Sequence, residues 1–258
     1  MQKFNYHTHT YRCRHANGTD EEYVLAAIKA GYKSLGFADH APYKDFPSET
    51  THMDIEELDD YISSINYLKE KYKDQIDIHI GLATEYFAFN HDERVELGNK
   101  VEYLILGQHF SDPDKTINYF KHNTDEEIIE YGQRVCQALD TGLFLYLAHP
   151  DVFMNRQDEF TPACAQTAHT IARKLVELDI PAEINIRGIL KGRKEFKSGL
   201  RYYYPHKEFW TIMAQYPIRC LIGVDAHDPD ELLNLSIIEK AHEELTGLNI
   251  NFIQEPLL

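Results

Sequence analysis

The stretch Phe4-Asn-Tyr-His7-Thr-His9-Thr-Tyr-Arg-Cys-Arg-His15 decides how this chain is read. A short apolar run delivers a His-x-His pair, and a third imidazole follows six residues later. In an extended segment residues i and i+2 point to one face, so His7 and His9 can reach a single metal ion together. The segment is a metal anchor, and its partners must come from elsewhere in the 258 residues.

Outward from the anchor, short β-like apolar runs alternate with amphipathic stretches, which predicts βα units and a parallel sheet. Strands are expected at 2–6, 34–38, 76–83, 101–106, 143–148, 182–186 and 218–224. Helices are expected near 20–31, 54–73, 92–100, 123–141, 161–178, 206–215 and 229–246. Thr19-Asp-Glu-Glu opens the first helix as a cap with an acidic first turn, and Gly31 closes it. Residues 187–197 read as a basic loop, and 247–258 are left unassigned. No linker or repeat interrupts the units, so one α/β barrel domain over 1–258 is expected.

The polar residues carry the function. Six of the seven strands deliver His, Asp or Glu at or just past their C-terminal ends, and strand six delivers Asn185. Parallel barrel strands converge there on the face where barrel enzymes keep their chemistry. Nine candidate ligands result: His7, His9, His15, His40, Glu85, His109, His149, Asp225 and His227. These are too many for one ion and suit two or three, since an open catalytic site takes three or four protein ligands. Imidazole with carboxylate admits zinc, iron or manganese. Of the other histidines, His52, His79, His91, His122, His169 and His242 read as loop, strand or helix residues, and His206 is ambiguous.

Composition bounds the partners. A chain 43% hydrophobic and 26% charged is typical of soluble globular proteins. No apolar run approaches the roughly 20 residues of a membrane span, and the N-terminus lacks the apolar core of a signal peptide, so a cytoplasmic protein is expected. Cys13, Cys136, Cys164 and Cys220 form no Cys-x-x-Cys pair and are expected as reduced thiols. A formal charge of −16 argues against nucleic acid and leaves a small molecule as partner.

Together, His7-Thr-His9, His15, Asp39-His40, Glu85, His109, His149 and Asp225-Ala-His227 resemble the motifs of the PHP (polymerase and histidinol phosphatase) family of metal-dependent phosphoesterases. The resemblance implies a distorted seven-unit (β/α)7 TIM-like barrel with a trinuclear site. It implies that His7, His9, Glu85 and Asp225 hold one ion, that Glu85 bridges to a second held by His109 and His149, and that His15, His40 and His227 hold the third. Within the family, His149-Pro-Asp151 and Glu183-Ile-Asn185 leading to Tyr204-Pro205 look most like the stand-alone histidinol-phosphate phosphatases, although Arg187 stands where those carry small residues.

A phosphate monoester resists attack because its negative oxygens repel the nucleophile. Paired ions neutralise that charge and supply a bridging hydroxide at neutral pH. Arg156 and Arg193 are expected as phosphate clamps, with Arg187 third because it should share a face with Asn185. Asp39 is expected to orient a ligand imidazole, and Asp151 is a candidate proton donor. Rival readings are a phosphatase for phosphotyrosine, a sugar phosphate or a nucleotide, an amidohydrolase, and a non-catalytic metal-binding module. An amidohydrolase would add a strand-end Lys, which this chain lacks.

Overall fold

A computed structural model describes residues 2–46 and 50–258. In chain order it runs β1 (Phe4–Asn5), α1 (Asp20–Ala30), β2 (Ser34–His40), α2 (Leu58–Tyr72), β3 (Asp77–Thr84), α3 (His91–Gly98), β4 (Tyr103–Leu106), α4 (Asp125–Leu139), β5 (Tyr146–Leu147) and α5 (Pro162–Leu178). It continues with β6 (Ala182–Asn185), α6 (Arg187–Leu190), β7 (Arg193–Phe196), β8 (Gly199–Tyr202), α7 (Lys207–Met213), β9 (Arg219–Gly223), α8 (Pro229–Leu233), α9 (Leu235–Glu244) and β10 (Asn251–Phe252).

Eight strands form one parallel sheet in the order β1-β2-β3-β4-β5-β6-β9-β10, and helices cover its outer face. Helix starts follow the sequence signals. In α1 the Thr19 hydroxyl accepts from the Glu22 amide while the Glu22 carboxylate accepts from the Thr19 amide, and Gly31 ends the helix at φ 83°. Thr124 and Glu127 repeat that box at α4.

The sheet curls until β1 approaches β9. The two join at the level of the histidines, where Thr8 bridges Ala226 and the His9 amide donates to the Ala226 carbonyl at 2.8 Å. Lower down, side-chain amides replace the ladder: Gln2 exchanges two bonds with the Ile222 backbone, and the Asn5 Oδ1 accepts from the Val224 amide. The free lower edge of β9 is taken by β10, formed from the tail left unassigned. Two further expectations shift. The basic loop holds the antiparallel hairpin β7–β8, and the last helix breaks at Asn234, whose ψ of 66° is not helical. Among the described residues no helix is long and apolar enough to cross a membrane.

Strand periodicity sorts the core into two clusters. Leu35, Phe37, Ile78, Ile80 and Leu82 pack outward with helix residues such as Tyr23, Tyr61 and Ile65. Tyr6, Ala38, Ala83, Tyr103, Ile105 and Ala148 fill the lumen. Gly36 and Gly81 make room for the Tyr103 ring, since a Cβ on Gly81 would stand 2.4 Å from its Cζ. His40, Glu85 and Gly107 lie two residues beyond Ala38, Ala83 and Ile105, so the same alternation carries them to the top of the lumen.

Candidate metal centre

That top opens into a cavity of about 400 Å³, and all nine residues expected as ligands line it. Two of them sit in strained backbone: His149 at φ 30° and Asp225 at φ 53° occupy the left-handed region just beyond β5 and β9. Gly107 admits the His149 ring, because a Cβ there would lie 3.2 Å from the His149 Nε2.

Four of the imidazoles are anchored through Nδ1. Carboxylates and carbonyls only accept, so each contact fixes Nδ1–H and leaves a lone pair on Nε2. His7 Nδ1 donates to Glu183 at 2.8 Å, and His9 Nδ1 donates to Asp39 at 3.3 Å. His15 Nδ1 donates to the Cys13 carbonyl at 2.7 Å and His227 Nδ1 to the Asp225 carbonyl at 2.9 Å. Asp39 therefore orients His9 and not the adjacent His40. Its other oxygen accepts from the Thr10 hydroxyl, and Thr10 in turn meets Arg12, which is held by Asp20 and Asp60.

The freed donors converge. Donor atoms of His7, His9 and Asp225 lie within 4.8 Å of one another, as do those of His15, His40 and His227. His9 Nε2 and Asp225 Oδ1 stand 3.0 Å apart, both buried, and among the described residues neither has a partner in hydrogen-bonding geometry. His109 and His149 bring their Nε2 atoms to 3.1 Å. Neighbouring ligands on a tetrahedral zinc with bonds of about 2.1 Å lie roughly 3.4 Å apart, so this donor set fits metal ions. Glu85 also faces the cavity, with Oε1 accepting from the amides of His109 and Phe110 at 2.7 and 2.8 Å and Oε2 3.4 Å from the Tyr43 hydroxyl. Cys13, which is buried, places its sulfur within 4.8 Å of donors on His9 and His227.

Electrostatics agree with a cation at this place. Burial would lower the pKa of His9, but Asp225 and Asp39 push it up to about 9. Burial would raise Asp225, yet the imidazoles of His7, His9 and His227 hold it well below the usual carboxylate range. Burial keeps His40, His109 and His227 well below 6.5 and therefore neutral, as ligands must be. Glu85 is pushed up to about 7 by burial, only partly offset by its two amides.

Three expected groups stand elsewhere. Arg193, on β7, lies over the Tyr202 ring and 3.5 Å from Glu244, and it does not line the cavity. Arg156 is exposed, its guanidinium 5.5 Å from the Tyr203 ring centroid, and is likewise outside the lining. Asp151 is buried outside the lining, where one oxygen accepts from the His206 amide at 2.7 Å and the Trp210 indole at 3.1 Å, so it anchors the start of α7. His206 stacks on Phe160. Arg187 does line the cavity, but it donates to Glu231 and to the Asp225 carbonyl.

Sequence reasoning missed the role of Glu183 and gave none to Lys191. Glu183 is fully buried, and Gly223 on the neighbouring strand makes room for it, since a Cβ there would stand 2.2 Å from its carboxyl carbon. The readable signal was a lone acid inside an apolar strand, two residues before Asn185 and so on the same face.

Known proteins resemble this one along most of its length. The chain is 26% identical over 238 residues to a protein of Deinococcus radiodurans named "Probable histidinol-phosphatase", covering 88% of this chain and 86% of that one. It is 32% identical over 145 residues to the histidinol-phosphatase of Bacillus subtilis, covering 51% of this chain and 54% of that one. Among solved structures, its fold is similar to that of histidinol phosphate phosphatase from Lactococcus lactis complexed with zinc, L-histidinol and phosphate. That similarity has a TM-score of 0.76 at 18% identity and covers 98% of this chain and 95% of the other. The family model described as PHP domain matches residues 5–185, well over half of the sequence, and the chain belongs to that family.

Proposed function

We propose that this protein is a metal-dependent phosphomonoesterase acting on L-histidinol phosphate, releasing L-histidinol and phosphate in histidine biosynthesis. One observation carries the reading: nine donors delivered by six strands line one cavity, in a chain whose relatives over most of its length bear the name histidinol-phosphatase. A cavity of about 400 Å³ suits a small-molecule ester.

His7, His9 and Asp225 would hold one divalent ion, His15, His40 and His227 another, and His109 and His149 a third, with the Glu85 carboxylate available to them as a further ligand. Zinc is favoured by the Lactococcus complex, while the ligand set also accepts iron or manganese. Such ions supply Lewis acidity toward phosphoryl oxygens and lower the pKa of water. The chain's own work is positional. Glu183 and Asp39 keep Nδ1 of His7 and His9 protonated, so both rings present Nε2 to the cavity. Arg187 and the His227 ring both donate to the Asp225 carbonyl, which holds the strained Asp225 backbone in place. Tyr43, Phe110 and Phe120 wall the cavity and limit water around the ester. In the reaction water oxygen bonds to phosphorus, the ester P–O bond breaks, and the histidinol oxygen takes up a proton.

The test is a panel of phosphate monoesters, with histidinol phosphate, phosphotyrosine, a sugar phosphate and a nucleotide, run beside elemental analysis of the purified protein. The highest kcat/KM should fall on histidinol phosphate, and chelation should abolish turnover until metal is returned. A higher kcat/KM for another ester would reassign the substrate, and full activity without metal would remove the mechanism.

A further inference from the structure

Among the described residues three Lys or Arg side chains line the cavity, Lys115, Arg187 and Lys191, and two are already engaged. Arg187 is bound to Glu231 and the Asp225 carbonyl, and the Lys115 ammonium donates to the Thr51 hydroxyl. Lys191 differs. It follows directly on α6, one turn beyond the end of β6, and among the described residues its ammonium forms no ion pair. It lies 5.5 Å from the ring centroid of Phe120 and 5.3 Å from that of Tyr204, two rings that line the same cavity. Phe120 stacks on the His109 imidazole at 5.0 Å, so one aromatic ring fixes the ammonium relative to a candidate metal ligand. Ring faces attract a cation without consuming its N–H donors, so the ammonium keeps them for a ligand.

We propose that Lys191 is the protein's own cation for the ester phosphate, the residue that selects a dianionic phosphoryl group at the mouth of the metal cavity. The inference rests on the phosphatase reading. It also accounts for a cavity whose arginine is ion-paired, because a chain of net charge −16 needs an uncommitted positive group to admit an anion.

Inorganic phosphate is titrated into the metal-loaded protein by calorimetry, for wild type, Lys191→Met and Lys191→Arg, and KM and kcat are measured for histidinol phosphate. Methionine keeps an apolar stem against the rings and removes the charge. The Met variant should bind phosphate roughly tenfold more weakly or worse, the cost of one charge-assisted bond. KM should rise by the same factor with kcat nearly unchanged, because the contact serves ground and transition states alike. Lys191→Arg should recover most of the affinity, and metal content should match in all three. Phosphate binding as tight in Lys191→Met as in wild type overturns the proposal, and so does an equal loss in Lys191→Arg, which marks a packing role. A wild type that binds phosphate but leaves histidinol phosphate intact removes only the substrate reading, since the titration still decides Lys191.

Discussion

The floor and the rim of the cavity are built by different rules. Floor donors stand at strand ends, where the lumen alternation sets their direction, and four imidazoles are held a second time through Nδ1. The arginines expected at the rim sit between the barrel strands and turn toward the nearest carboxylate or ring, Arg187 at the cavity to Glu231, and Arg193 and Arg156 outside it to Glu244 and Tyr203. With 42 acidic residues against 26 basic ones, a loop cation has many intramolecular partners to find before any ligand. Strand pitch fixes where a side chain points, whereas loop position alone does not.

The sharpest way to break this contrast is at the floor. Asp225→Asn should strip metal and lower kcat/KM by about a thousandfold, several kcal/mol of lost charge stabilisation. Metal analysis with phosphate release reads both, and intact metal content would show that Asp225 holds no ion. One shell outward, Glu183→Gln leaves His7 a weaker acceptor for its Nδ1–H, and a loss of roughly 10–100-fold in metal affinity should follow. Affinity equal to wild type would reduce Glu183 to a packing residue.

The same contrast explains what the sequence made legible. His-x-His, Asp39-His40 and Asp225-Ala-His227 could be placed because each abuts a short apolar run, and all seven expected strands form within or overlapping their predicted spans. The short β10 was left unassigned although Leu248, Ile250 and Phe252 alternate with Asn249 and Asn251, and it pairs with the lower edge of β9 that β1 leaves uncovered. The hairpin β7–β8 hid inside a run of charges. Asp39 does orient a ligand imidazole as expected, but which one was not legible: it is His9, because side chains one residue apart on a strand face opposite ways and Asp39 points away from the His40 ring. Asp151 looked available for proton transfer because it follows His149-Pro, and nothing local announced that α7 would bury it.

Asp151 gives the next test, now of stability. Asp151→Ala leaves the His206 amide and the Trp210 indole without an acceptor, at about 2–4 kcal/mol. For a chain of this size the thermal midpoint should fall by roughly 5–15 °C. Burial already pushes this carboxyl up to about 6, so Asp151→Asn, neutral and still an acceptor, should lose much less. Metal content should persist in both. A collapse of kcat with an unchanged midpoint would restore Asp151 as a proton donor.

The smallest expected effect is the most informative about the rim. Arg193 is half exposed, lies over the Tyr202 ring and sits 3.5 Å from Glu244, a pairing across solvent of the kind worth about 0–1 kcal/mol. Arg193→Ala should therefore leave KM for a phosphate ester within roughly twofold of wild type, because a residue outside the cavity has no oxygen to release. Lys191→Met in the same assay supplies the contrast, since both remove one positive charge from neighbouring positions on one segment. If the two variants raised KM equally, bulk charge near the cavity mouth would govern phosphate affinity, and the direction of the individual side chain would not.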